Sequence, residues 1–373
     1  MVFDGNGEAV DWILGYEPPA DGFRDQLAAI LKGTGTFQSL AVNYVETAFK
    51  IAKKYADRYD MAKAAEFYKN VLAIDPNGMK GGSDYQGEKT SYTQQAEFGI
   101  AENALGNRPP DRAPMEAFIK KYPKGAIVEG AFAQLSRNYY GRGATKEEAA
   151  AFYADYVGRF PNSVAAHSSY VQRIVQDKDP LDKGIELALK AMELQKAAAA
   201  AAPAGSVPAA PMGGGSSMGF NLARLYFFKG DKAAALKAAD SAAKQVGDNP
   251  RMLSMAAQAY LDIGAEAKAL DIYGPKFLKK NMADASILGQ YAGFWTRQEK
   301  NLKSALEAAK KAVELTPAAP AAWLSLGNVY IKMKNKAEAL KAVTKALDVA
   351  PANQKATVQR SVDQAKKLID EIK

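Results

Sequence analysis

Cysteine is absent from this 373-residue sequence, and histidine occurs once, as His167. Without a thiol the chain cannot form structural disulfides, zinc–thiolate sites or iron–sulfur clusters, and it has no cysteine nucleophile. A single imidazole also excludes any catalytic or metal site that needs two. The sequence therefore predicts that the chain is not an enzyme and binds no cofactor.

Long apolar runs are missing as well. The longest stretch of low polarity, residues 197–202, is far shorter than the roughly 20 apolar residues that cross a bilayer. Residues 1–5 do not begin the basic and then apolar pattern of a secretory signal. We expect neither a membrane span nor a signal peptide in the sequence as it stands. No phosphate-binding GxxxxGK[ST] loop, GxSxG or HExxH motif points to a small-molecule substrate.

Positive charge is concentrated in the C-terminal part of the chain. Residues 216–373 contain 25 Lys and Arg against 15 Asp and Glu, whereas the whole chain has 49 against 41. A basic surface can meet nucleic acid, anionic lipid or an acidic protein. The lysines are nevertheless spread along helical segments without a long run, as on solvated helix surfaces, and nucleic acid is the less favoured partner.

A pattern of large and small apolar residues repeats in the same part of the chain. Gly327 and Ala339 are small enough to let two helices approach closely, and Pro351 cannot continue the second helix. Together with larger residues that fill the space between the helices, they resemble the tetratricopeptide (TPR) repeat: Trp323, Leu326, Gly327, Tyr330, Ala339, Val343, Ala346 and Pro351. The resemblance implies an all-α fold, a right-handed superhelix of antiparallel helix pairs.

Equivalent alanines precede Ala339 at intervals of 34 to 36 residues, at Ala305, Ala269 and Ala235. They predict a C-terminal array of about four repeats over 218–352.

The remaining segments are assigned from composition and weaker periodicity. A less regular TPR-like array is expected over 38–196, with a long loop over 76–86 and a helix over 88–105, and a capping helix over 353–373. Residues 197–217 are rich in Ala, Pro, Gly and Ser, which predicts a flexible linker or insertion.

Residues 1–33 do not follow the repeat. Strands over 1–4 and 9–14, joined by Gly5-Asn6-Gly7-Glu8, predict a β-hairpin, and an amphipathic helix follows over 20–31. This order resembles the last third of a thioredoxin-like fold, although the cysteine pair of such an oxidoreductase is missing. The segment is either the end of a thioredoxin-like domain that begins upstream or a cap on the repeats.

The TPR resemblance implies protein binding in a concave groove lined by the first helix of each pair. Placing the repeat on the sequence predicts these partner-binding residues in the groove: Phe220, Arg224, Phe227, Arg251, Gln258, Gln290, Phe294, Arg297, Asn328 and Lys332. The family's two-carboxylate clamp is not reproduced, since Leu324 and Asn328 occupy the positions of its Lys and Asn in the last repeat. The cationic residues still suit carboxylates, so acidic proteins and peptides are among the expected partners.

Three functions are compatible with the sequence. The first is a non-catalytic scaffold that binds a peptide or protein in the groove. The second is the repeat portion of a thioredoxin-like thiol–disulfide protein whose catalytic half lies upstream. That protein would be periplasmic or secreted if a signal peptide also precedes it, whereas the sequence as it stands predicts the cytoplasm. The third is a polyanion or nucleic-acid binder that uses the basic C-terminal part.

Overall fold

The computed structural model describes residues 2–3, 9–11, 24–25, 27–28, 32, 45–79, 81–107, 109–201 and 215–372. The chain divides into two compact units, Met1–Arg173 and Ile174–Lys373. The fold is all-α and TPR-like, as the repeat pattern predicts: helices joined by tight turns pack against each other in pairs.

The described residues of the first unit form helix pairs and two short hairpins. In chain order, its described elements are β1 (Val2–Phe3), β2 (Ala9–Asp11), α1 (Val45–Asp57), α2 (Met61–Ile74), β3 (Ser83–Tyr85), β4 (Glu88–Thr90), α3 (Tyr92–Gly106), α4 (Ala113–Lys121), α5 (Ala126–Leu135), a π-helical turn (Ser136–Tyr140) and α6 (Lys146–Arg159). Helix α7 (Val164–Asp177) contains the division between the units.

The predicted N-terminal hairpin is present. β1 and β2 pair antiparallel, with Val2 opposite Asp11 and Phe3 opposite Ala9. Of the predicted helix over 20–31, residues 24–25 and 27–28 are described, and they are helical. The rest of that prediction lies outside the described residues.

A second hairpin stands where the sequence predicts a loop and the start of a helix. β3 and β4 pair antiparallel, and Gln86 and Gly87 between them both have positive φ, as a tight hairpin turn requires. Helix α3 consequently begins at Tyr92 rather than at Glu88, capped by the Ser91 side chain. The prediction is wrong here because Gln-Gly is a weaker turn signal than Asn-Gly or Asp-Gly.

The helices extend into the predicted linker over 197–217 from both sides. Helix α8 (Leu181–Ala201) continues through its alanine-rich start, and α9 begins at Gly215. Alanine has the highest helix propensity, which favours this extension of α8. Residues 202–214 lie outside the described residues.

The described residues of the second unit form, after α8, four helix pairs, with one short helix inserted and one helix added at the end. After α8, its elements are α9 (Gly215–Phe228), α10 (Lys232–Ala243), α11 (Pro250–Asp262), α12 (Glu266–Tyr273), α13 (Pro275–Lys280), α14 (Ala285–Gln298), α15 (Leu302–Leu315), α16 (Pro320–Lys332), α17 (Lys336–Asp348) and α18 (Lys355–Asp370). The pairs are α9 with α10, α11 with α12, α14 with α15 and α16 with α17, and α18 packs on the last pair.

One turn geometry recurs in these four pairs. One or two residues after the first helix ends, the backbone has a positive φ, at intervals of 34 or 35 residues: at Gly230, Gly264, Glu299 and Lys334. In each turn the next N–H donates back to a carbonyl of the first helix, as from Asn335 to Tyr330. The shared turn places every second helix against its first helix in the same way.

Small residues hold the paired helices close together. The alanines that the repeat spacing singles out have no exposed surface: Ala235, Ala269, Ala305 and Ala339. A β-carbon added to Gly327 would lie 2.6 Å from Cγ1 of Val343, so α16 and α17 leave no space for a larger residue at Gly327.

We predict that Gly327→Ala lowers the free energy of unfolding by about 1 to 3 kcal/mol, because the buried, β-branched Val343 has to move. Gly289→Ala in α14 is the matched control, since its added β-carbon meets no described residue within 4 Å. Its gain in helix propensity should raise the free energy of unfolding by up to about 1 kcal/mol. Urea unfolding followed by circular dichroism measures both effects. Equal stabilisation by the two substitutions would contradict the close contact of α16 with α17.

Candidate functional site

The first helices of consecutive pairs in the second unit lie side by side. Helix α9 contacts α11, α11 contacts α14, and α14 contacts α16. In each pair, one side of the first helix packs on the second helix. The opposite sides of the four first helices form a common surface, here called the A-helix face (α9, α11, α14 and α16). All ten residues predicted to bind a partner belong to these four helices.

Two adjoining cavities open on the A-helix face. The first, the small-residue trough, has a volume of about 470 Å³ and is lined mainly by α14 and α16, with Ser286, Gly289, Gln290, Ala322 and Ser325 in its wall, and by Ala312 of α15. The second, the basic pocket, has a volume of about 330 Å³ and is lined by Gly293, Thr296, Arg297, Ser325, Asn328, Ile331, Lys332 and Leu368. Because Ser325 lines both, the trough and the pocket adjoin at this residue.

Four of the predicted residues line these cavities. Gln290 belongs to the trough, and Arg297, Asn328 and Lys332 belong to the basic pocket. All four are exposed. Gln290 and Arg297 are separated by two helical turns, which keeps them on one side of α14.

Two predicted aromatic contacts are core residues instead. Phe220 is 1% exposed and packs in a cluster with Ala242 of α10. Phe294 is 5% exposed and meets the Tyr273 ring edge to face, with 5.2 Å between the ring centroids. The prediction that these two rings contact a partner is wrong, because neighbouring helices cover both. Phe227 is partly buried against the same core as Phe294.

Arg224 and Gln258 are engaged within the chain. Nε of Arg224 donates to Oδ2 of Asp262 at 2.6 Å, and its Nη1 donates to Oδ1 of Asn221 at 2.8 Å. Asp262 also accepts from Nε2 of Gln258, whose Oε1 accepts from Nε2 of Gln298 at 2.6 Å. This polar chain connects α9, α11 and α14, so both predicted site residues hold neighbouring helices together.

The exposed cations differ in their surroundings. Lys332 Nζ donates to Oε1 of Glu299 at 2.6 Å, and this bond holds the pKa of Glu299 below its ordinary value. Arg251 lies in the first turn of α11 and lines neither cavity. Among the described residues no carboxylate pairs with Arg297. The basic pocket therefore contains one compensated cation, on Lys332, and one uncompensated cation, on Arg297.

Sequence reasoning missed other residues of the two cavities. Ser325 had a usable signal, since it precedes Asn328 by three residues and Lys332 by seven on one side of a helix. Leu368 had none, because only the packing of α18 against α16 brings it to the basic pocket. Asp262 was missed because its partner Arg224 belongs to another helix pair.

Other sites were sought in the part of the chain that the structure describes. It contains no group of three or more His, Asp and Glu side chains able to hold a metal ion. Its helices include none with the length and apolarity of a membrane span. His167 is buried, with Nδ1 2.8 Å from the carbonyl oxygen of Ser163.

Comparison with known proteins gives one family and several solved structures. The family model of the ChAPs (Chs5p-Arf1p-binding proteins) matches residues 232–368, which is less than half of the chain. No curated protein matches the chain as a whole or in part.

The solved structures are distant. The chain is similar to yeast Tom70, with 16% identity and a TM-score of 0.46 over 82% of this chain and 59% of that one. It is similar to YrrB, described as a TPR protein with an unusual peptide-binding site. The identity is 16% and the TM-score 0.29, over 58% of this chain and 97% of YrrB. The chain is also similar to the APC/C hetero-tetramer Cut9–Hcn1, with 14% identity and a TM-score of 0.36 over 92% of this chain and 59% of that one. The chain thus spans less than two thirds of the length of Tom70 and of Cut9. None of these comparisons supports the resemblance of residues 1–33 to a thioredoxin-like fold.

We predict a coupling energy of about 1 kcal/mol between Arg224 and Asp262, because their side chains are only 21% and 29% exposed. The exposed pair Lys300 and Glu266 is the matched control and should give about 0.5 kcal/mol or less. Urea unfolding of the single and double alanine variants of each pair measures the two couplings. If the couplings are equal, Arg224 does not act as a link between helices.

Proposed function

We propose that this chain is a non-catalytic interaction scaffold that binds a protein or peptide partner on the A-helix face of its second unit. Binding is centred on the small-residue trough and the basic pocket. Gln290, Arg297, Asn328 and Lys332 are the predicted site residues that contact the partner.

One observation carries this proposal: the two cavities adjoin at Ser325, and exposed polar side chains of α14 and α16 line the second of them. A partner segment needs an accessible depression that removes it from water and polar groups that orient it. The trough supplies the depression because its wall is built from small side chains such as Gly289, Ala322 and Ser325. The basic pocket supplies the polar groups.

The family match supports a protein as the partner. ChAPs are named as Chs5p-Arf1p-binding proteins, and residues 232–368 of this chain, which match their model, include every residue that lines the two cavities. We therefore favour a protein or a segment of a protein over a small molecule.

The absence of catalysis is part of the proposal. Because the chain has no cysteine, it has no thiol nucleophile. The imidazole that commonly acts as a catalytic base is present once, at His167. Burial of that imidazole and its contact with the Ser163 carbonyl oxygen favour a structural role.

Blocking the cavities tests the proposal. Ser325→Trp fills the junction of the trough and the pocket, and Arg297→Glu reverses the uncompensated charge. We expect each to reduce capture of the partner at least about fivefold, as loss of a hot-spot contact does. Capture from an extract of the organism on immobilised protein, quantified by mass spectrometry, is the measurement.

Lys310→Glu with Lys311→Glu is the matched control, because both lysines belong to α15 and neither lines the trough or the basic pocket. The double reversal should leave capture unchanged and barely dependent on salt. If it abolishes capture while Ser325→Trp does not, and capture falls steeply with salt, the chain is a polyanion binder instead.

A further inference from the structure

We infer that the basic pocket selects an extended segment in which an acidic side chain stands next to an apolar one. This inference rests on the proposed function, because it names the chemistry of the segment that the A-helix face binds. The acidic side chain pairs with Arg297, its apolar neighbour packs on Leu368 and Ile331, and the preceding residues lie along the small-residue trough.

The acidic preference follows from the charges around the pocket. Arg224 is neutralised by Asp262, and Lys332 shares its charge with Glu299. Arg297 is exposed and has no carboxylate partner among the described residues. A guanidinium that loses water on binding needs a carboxylate to compensate it, and the two groups match in planar geometry.

The position of Arg297 is set by its own helix. A β-carbon added to Gly293, one turn earlier, would lie 3.4 Å from Nη1 of Arg297, so the side chain lies back over that glycine. Gly293 and Arg297 both line the pocket. The charge is thus held over the cavity, beside the exposed amide side chain of Asn328, which can add a hydrogen bond to the same carboxylate.

The apolar preference follows from the leucine and isoleucine in the wall of the pocket. Leu368 of α18 is 49% exposed and lines the pocket, together with the edge of Ile331. A partly exposed leucine in a concave wall gains free energy when an apolar side chain covers it. Because Leu368 and Arg297 belong to one pocket, an apolar residue and an acidic residue must enter it from neighbouring positions of the same segment.

The charge count also separates this ligand from a polyanion. Nucleic acids and polyphosphates bind through many cations in a row, and their affinity rises with each phosphate that is neutralised. The pocket offers one uncompensated cation, and no charged residue lines the trough. A single carboxylate on an otherwise uncharged segment fits this arrangement.

A displayed library of random peptides, selected on the purified full chain, tests the inference. We expect the selected peptides to carry Asp or Glu next to an apolar residue. Selection on Arg297→Glu should replace the acidic residue by Lys or Arg at the same position. Selection on Leu368→Ser should remove the apolar preference. A synthetic peptide chosen on the unaltered chain should bind Arg297→Glu about tenfold more weakly or worse.

Two controls match these variants. Leu340→Ser replaces a leucine of α17 that is 45% exposed and lines neither cavity, and Lys310→Glu reverses a charge on α15. Both should select the same peptides as the unaltered chain, and circular dichroism checks that every variant is folded.

Two outcomes would overturn the inference, and they differ in what they imply for the proposed function. In the first outcome, peptides bind the unaltered chain and no longer bind Ser325→Trp, but they show no acidic preference that changes with Arg297→Glu. This outcome would overturn the inference and leave the proposed function standing. If selection yields no peptide whose binding depends on Ser325, both the inference and the binding of a partner segment on the A-helix face are wrong.

Discussion

In the last helix pair, Gly327 of α16 lies so close to Val343 of α17 that a β-carbon would overlap with it, and Gly219 has the same relation to Ala242 in the pair of α9 and α10. Paired helices can approach this closely only when small residues occupy their contact. The large side chains are then left for the spaces between successive pairs, where Tyr273, Phe294 and their neighbours form the core. The trough and the pocket lie along α14 and α16, and Ala312 of α15 and Leu368 of α18 complete their walls.

Several polar side chains of the second unit also serve the contacts between helices. Contacts between successive pairs use Arg224 with Asp262 and Gln258 with Gln298, which engage groups that would otherwise be available to a ligand. Lys332 and Glu299 compensate each other at the end of α16. Among the described residues that line the pocket, Arg297 is the cation without a carboxylate partner, so the proposed acidic preference depends on this side chain.

Much of this fold could be predicted from the sequence, because the repeat is a local pattern of side-chain size. Ala235, Ala269, Ala305 and Ala339 are buried where the spacing places them. Phe294 was assigned to the wrong surface because a large residue on a first helix can face either the groove or the preceding pair. The pattern of one helix does not distinguish these directions.

The site was less predictable than the fold, since its chemistry depends on contacts between distant residues. Arg224 is neutralised by Asp262, which belongs to the next helix pair, and Leu368 reaches the pocket only through the packing of α18. The sequence could place Arg297, Asn328 and Lys332 on the exposed side of two adjacent helices, because they follow the periodicity of such a side. The sequence could not show which of these cations pairs with a carboxylate, because that depends on the positions of the side chains.

Site-specific photo-crosslinking tests the central claim most directly, because it reports where a bound partner lies without altering the pocket. A photoreactive amino acid replaces Gln290 in the trough in one variant and Lys310 on α15 in another, and each is expressed in the organism that makes the protein. If the partner binds on the A-helix face, irradiation should link it to position 290 and not to position 310. Links formed from position 310, with none from position 290, would contradict it.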